Sequence, residues 1–216
     1  MLLEVLVEGG ADVPAVREVL KRRFGLTEDQ DFRIHPHKGK GQLPVNPQKR
    51  PDPKQRGLLD QLPAKLRGYA HVPDCAVVVL VDADDEDCRT LKASLAAMLA
   101  ALDRRPAHVL LRIAIEETES WLIAEPEAVR RAHPHARLGK LRKLKADAVC
   151  GAWERLAEAL GLRPADCNGQ DKYAWAETIL PQLDLDAPRS PSLQAFITGI
   201  ERLRTATDPA PGQPAR

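Results

Sequence analysis

Three groups of acids stand where apolar runs stop. Leu2–Val7 runs into Glu8-Gly9-Gly10, with Asp12 close behind; Ala76–Val81 runs into Asp82-Ala83-Asp84-Asp85-Glu86-Asp87; and Ile113-Ala114-Ile115 runs into Glu116, Glu117 and Glu119. A carboxylate beside a dry sheet is costly unless a cation shares its site. Oxygen ligands alone suit a hard divalent ion such as Mg²⁺ or Mn²⁺. Asp82 and Asp84 are two residues apart, so a strand carrying both projects them from one face, and an ion between them relieves their repulsion. Glu8 and Asp12 flank a glycine pair that lets the chain turn tightly. Both can then face one point above the carboxyl end of the strand, where open α/β sheets bind ligands. Glu117 and Glu119 are placed to complete a second metal position, with Trp121 packed beneath them. Each group also has a plainer reading. Asp12 suits a helix N-cap, and acids at 85–87 and 116–119 suit the positive end of a helix dipole. The dipole accounts for Asp85, Glu86 and Asp87, but not for Asp82, which leaves a buried strand directly.

The elements that must hold these acids follow from hydrophobic period. Residues 2–7 and 76–81 read as buried strands, Phe32 to His37 as a short one and His108 to Ile115 as another. Between them, Val13 to Phe24 and Thr90 to Leu102 carry apolar stripes at helical spacing, with Pro14 at a tolerated first-turn position. Leu58 to Leu66 reads as a short helix interrupted or kinked near Pro63. Short helices follow at Glu116–Ala124 and Pro126–Ala132.

Beyond residue 135 only helices are expected: an amphipathic one over Arg137–Lys145, then Trp153–Leu160 closed by Gly161, Tyr173–Leu180 and Ser192–Leu203. The pattern predicts an α/β unit over 1–135, a helical portion over 136–204 and a disordered Pro-, Gly- and Ala-rich tail over 205–216.

Two basic segments accompany the acids. Residues 38–56 hold four prolines, six Lys or Arg and one acid, which reads as a long loop of the functional or mobile kind. At its start His35, His37, Lys38 and Lys40 lie among glycines, suiting a mobile phosphate clamp or simply a solvated loop, without a Walker spacing. Arg137–Lys145 has five cations in nine residues, either a solvated helix face or a nucleic-acid rail.

Composition narrows the partners. Aromatics are 4% of 216 residues, which argues against base-stacking platforms, and a net charge of +1 removes any global pull toward nucleic acid or membrane. Cys75, Cys88, Cys150 and Cys167 show no CxxC spacing and read as reduced thiols of a cytoplasmic protein. No apolar run is long enough to span a membrane, and Glu4 and Glu8 at the start are unlike a secretory signal.

Taken together, the motifs resemble the Toprim fold of topoisomerases, primases and OLD-type nucleases. That pattern has a Glu-Gly after the first strand, here Glu8-Gly9, and an Asp-x-Asp after a later one, here Asp82-Ala83-Asp84; Asp12 fits the OLD-type second acid. The whole chain is similar to an uncharacterised bacterial Toprim-like family often encoded beside AAA-type ATPases. The shared features are Val7-Glu8-Gly9, His37-Lys38-Gly39-Lys40-Gly41, Val81-Asp82-Ala83-Asp84, Glu117-Thr118-Glu119-Ser120-Trp121-Leu122, Asp171-Lys172, and Ser190-Pro191-Ser192 with Phe196.

The resemblance implies a mainly parallel central sheet flanked by helices and Mg²⁺- or Mn²⁺-dependent phosphodiester chemistry on nucleic acid, expected to be DNA, with an AAA-type ATPase partner. It implies Glu8 as general acid/base or metal ligand, Asp82 and Asp84 holding one ion, Asp12 and Glu119 serving a second, and Lys172 stabilising developing charge. Two other classes stay open. One is a non-catalytic subunit of an ATPase system. The other is a haloacid-dehalogenase-like phosphohydrolase built on Asp82-x-Asp84, although Glu86 stands where that motif places a threonine.

Overall fold

The computed structural model describes residues 1–148 and 150–207. Four strands form one parallel sheet: β1 (Leu2–Val7), β2 (Phe32–Pro36), β3 (Cys75–Asp82) and β4 (His108–Ala114), in the order β2-β1-β3-β4. The α/β architecture with a parallel sheet is as the apolar runs predict. β3 is buried along its whole length except Asp82, because a central parallel strand is covered on both faces.

Side-chain alternation splits the core in two. Leu3, Val5 and Val7 of β1 and Ala76, Val78 and Leu80 of β3 face one layer. That layer holds α1 (Val13–Glu18), α4 (Glu119–Ile123), α5 (Pro126–Ala132), α6 (Ala152–Ala159), α7 (Gly169–Ile179) and α8 (Pro191–Thr207). The opposite face packs on α2 (Leu58–Tyr69) and α3 (Cys88–Ala101) through Leu62, Leu66, Leu91 and Leu95. The C-terminal helices thus share a core with the sheet.

The helix after Asp12 is α-helical to Glu18 and then π-helical over Val19–Arg23. Pro63 lies inside a continuous α2. No helix forms over Arg137–Lys145: the regular structure there is one 3-10 turn, Leu141–Lys143. Leu138, Leu141 and Leu144 recur every third residue, which is the 3-10 period rather than the α period of 3.6. Leu138 and Leu141 are nevertheless buried. Thr205–Thr207 belong to α8, and 208–216, expected to form a disordered tail, lie outside the described residues. Among the described residues no helix is long and apolar enough to cross a membrane, and all four cysteines are free.

Strand order sets the site. From β1 the chain returns through α1 to β2 on one side, while β3 lies on the other side of β1. The carboxyl ends of β1 and β3 therefore border the crevice where connections diverge, the usual ligand position in such sheets.

Candidate metal centre

Glu8 follows β1 and Asp82 ends β3, on adjacent strands. The Asp82 amide donates to Glu8 Oε1 at 2.8 Å, tying the two strand ends together. Asp12 closes the 3-10 turn Gly10–Asp12; its Oδ2 accepts from the Gly9 amide and its Oδ1 from the Thr118 hydroxyl, both at 2.9 Å. Thr118 precedes α4, so this bond brings the end of β4 to the end of β1. Glu119, in the first turn of α4, is buried, as is Asp12. The 3-10 turn also packs against α7, which delivers Lys172 to Glu117 Oε1 at 3.3 Å and Glu119 Oε1 at 3.2 Å. The Lys172 ammonium lies 5.7 Å from the Trp153 ring centre.

These carboxylates share too little positive charge. Burial raises Glu8 to about 8, aided by Asp12 and Asp84 and opposed by the Asp82 amide and Lys40. Burial raises Glu119 to about 8 as well, with Lys172 opposing and Glu117 and Asp12 adding to it. Asp12 is raised by burial against the pull of Gly9, Thr118 and Lys172. Asp82 is pushed well up by desolvation and then by Asp12, Glu8, Glu119 and Glu117. Burial alone would lower the Lys172 ammonium, but Glu119 and Glu117 more than offset it and the net shift is upward. Lysine at this position stays charged.

Asp84 departs from the same-face expectation. It has left the strand with φ +48°, is exposed, and lies 3.1 Å from Lys40 Nζ. Glu86 is 2.9 Å from the same ammonium. Asp84 still acts on Glu8 electrostatically. Two-residue alternation holds only while the chain stays extended, and the positive φ ends it.

The Gly-Lys-Gly segment is tied to its surroundings at several points. Gly41, at φ +68°, and Gly57 touch, and a Cβ on either would collide with the other backbone and with Asp60. These glycines pinch the base of the long loop. Lys38 donates its amide to Arg56 O across that neck, at 3.1 Å. Lys40 also donates to Ala83 O at 3.1 Å, so it faces the second acidic loop rather than open solvent. His37 turns inward: Nδ1 lies 2.8 Å from Val7 O, Nε2 is buried without a partner, and burial lowers its pKa, keeping the ring neutral.

Several residues of the acidic motifs take roles set by contacts distant in sequence. Thr118 is one, holding Asp12 from 106 residues away. Glu116 is another: its carboxylate caps α6 by accepting from Gly151 and Ala152 amides. Glu116 therefore serves the fold, while Glu117 and Glu119 turn toward Lys172. Trp121 is buried against Phe196 and donates Nε1–H to Ser192 Oγ at 2.8 Å.

The donor set fits a hard divalent cation. It is all carboxylate oxygen, Glu117 Oε2 is buried without a partner, and no donor from a described residue reaches the Asp82 carboxylate. Among the described residues, no three His, Cys, Asp or Glu side chains stand close enough together to form a ligand set.

No curated protein matches the chain. Among solved structures it is similar to the C-terminal region of the OLD protein of Xanthomonas campestris pv. campestris, at 15% identity and a TM-score of 0.46, over 94% of this chain and 95% of that one. The family described as "Domain of unknown function (DUF4276)" matches residues 7–201. The chain belongs to the DUF4276 family.

Proposed function

We propose that the crevice between β1 and β3 is a Mg²⁺- or Mn²⁺-dependent site for phosphodiester hydrolysis in nucleic acid. The observation that carries this reading is Asp82: a carboxylate at the end of a buried strand, reached by no donor and flanked by four other acids that raise its pKa. Such a group is a liability to an empty fold and an asset to one that binds a cation. Glu8, Asp12 and Asp82 would hold one ion; Glu117 and Glu119, now shared with Lys172, would contribute to a second, and Asp84 would join by swinging off Lys40. A bound divalent ion would neutralise charge on the phosphoryl oxygens and activate the attacking water.

The chain's own groups do the rest. Glu8 Oε1 accepts from the Asp82 amide, which fixes the carboxyl group. In the metal-free chain Glu8 holds a proton at neutral pH, given its pKa of about 8, so it would act as a proton donor or acceptor only where it is not ligating the ion. Lys172 stays protonated and is steered by the Trp153 face and two acids, so it can face charge building on the phosphate. Lys38 and Lys40, at the neck of the basic loop, would meet the flanking backbone once Lys40 exchanges its carboxylates for phosphate.

The family resemblance carried by Glu8-Gly9 and Asp82-Ala83-Asp84 extends the proposal to DNA as substrate and an AAA-type ATPase as partner. The test is cleavage of plasmid DNA and of RNA with Mn²⁺, wild type against Asp82→Ala. Metal-dependent cleavage by the wild type alone supports the reading, and equal activity of both proteins rejects it.

A further inference from the structure

β4 is an edge strand, and its free edge forms the floor of a groove of about 480 Å³ between α3 and α8. Ala114 O accepts from the Ala83 amide at 2.9 Å, so Ala114, Arg112 and Leu110 turn their backbone groups toward β3. By alternation, Val109, Leu111 and Ile113 turn theirs outward. Those three amides donate to no backbone carbonyl of a described residue, leaving an open ladder.

Around this ladder the groove is apolar below and cationic above. Leu95, Leu111 and Ile113 supply the floor; Lys92, Arg112 and Arg202 supply charge, and no acid lines it. Arg112 is built into place. It donates Nε–H to Ala195 O at 2.8 Å and an Nη1–H to Leu111 O at 2.9 Å, and its guanidinium fills a gap that a Cβ at Gly199 would close. No carboxylate of a described residue lies within ion-pair reach of Lys92, Arg112 or Arg202.

We infer that this groove docks an extended acidic segment of a partner protein, which joins the sheet as a fifth strand. An added strand offers carbonyls to the outward amides of Val109, Leu111 and Ile113 and amides to the outward carbonyls of Val109 and Ile113, the Leu111 carbonyl being held by Arg112, and acidic side chains would meet the three cations. A second copy is disfavoured, because two-fold pairing of β4 with itself brings Arg112, Lys92 and Arg202 against their twins. Nucleic acid would satisfy the cations but offers no ladder of alternating donors and acceptors, and the groove has no aromatic platform.

The test uses the full chain and a fluorescein-labelled eight-residue peptide of alternating Asp and Val, read by anisotropy at low salt and by amide exchange. Binding is expected, with slowed exchange at Val109, Leu111 and Ile113. The Lys92→Glu, Arg202→Glu double variant, changed at two exposed helix positions, should weaken it at least about tenfold. Metal-dependent cleavage should be the same in that variant, which separates this inference from the crevice. Several results would overturn it: no binding, equal binding of an alternating Lys-Val or N-methylated peptide, displacement by a single-stranded oligonucleotide, or self-association that protects the same three amides.

Discussion

Glu4 and Asp82 both belong to strands whose other side chains are apolar, and the strands are neighbours in one sheet. Glu4 is only 5% exposed, yet it lies against the His35 ring and within 3.8 Å of Arg33 on β2. Asp82 has no such partner; its neighbours are Asp12, Glu8, Glu119 and Glu117. Burial of an acid therefore does not by itself mark a site. What separates the two is the sign of the surrounding charge, and only Asp82 is left in need of a cation from outside.

The contrast is sharpest in substitutions. Asp82→Asn should lower Mn²⁺-dependent cleavage by at least about two orders of magnitude while raising the thermal midpoint of the metal-free protein at pH 8, since it removes repulsion. Loss of stability with retained cleavage would reverse the roles. Next, Lys172→Met should reduce the cleavage rate roughly 10²-fold without weakening Mn²⁺ binding, because Glu117 and Glu119 are released to the metal. A parallel loss of metal affinity in a titration would make Lys172 a support for the ligands instead. Glu4→Ala should do the opposite of Asp82→Asn: it strands Arg33 and His35, costs about 1–2 kcal/mol in denaturant unfolding, and leaves cleavage intact.

The same contrast predicts a pH dependence. Glu8 and Glu119, raised to about 8 from the ordinary 4.5, hold protons in the folded chain that the unfolded chain has already released. Metal-free stability should therefore fall as pH rises from about 5 to about 8. Mn²⁺ should flatten that slope; a metal-free melting temperature that rises across the window would contradict it. The smallest effect belongs to Lys40→Ala. Its partners Asp84 and Glu86 are exposed, though Lys40 itself also donates to Ala83 O, so unfolding should change by no more than about 1 kcal/mol.

Much of this was legible in the chain. The apolar runs at 2–7, 76–81 and 108–115 gave a parallel sheet, and the acids at their ends gave the crevice, because both signals are local in sequence. Where the reading failed, the deciding contact was distant or the backbone turned without a local cue. Asp84 leaves the strand at a positive φ. Leucines at every third position between Arg137 and Lys145 looked helical, but their period is that of a 3-10 turn. Thr118 on Asp12 and Glu116 on α6 join residues far apart. Lys92, Arg112 and Arg202 have no sequence relation at all until α3, β4 and α8 bring them to one groove.

The most direct test of the account is calorimetric titration of Mn²⁺ into metal-free protein at pH 8, wild type beside Asp82→Asn and Glu4→Gln. The crevice reading predicts binding by the wild type and Glu4→Gln, with proton release, and none by Asp82→Asn. Equal binding by all three, or no binding by the wild type, would contradict it.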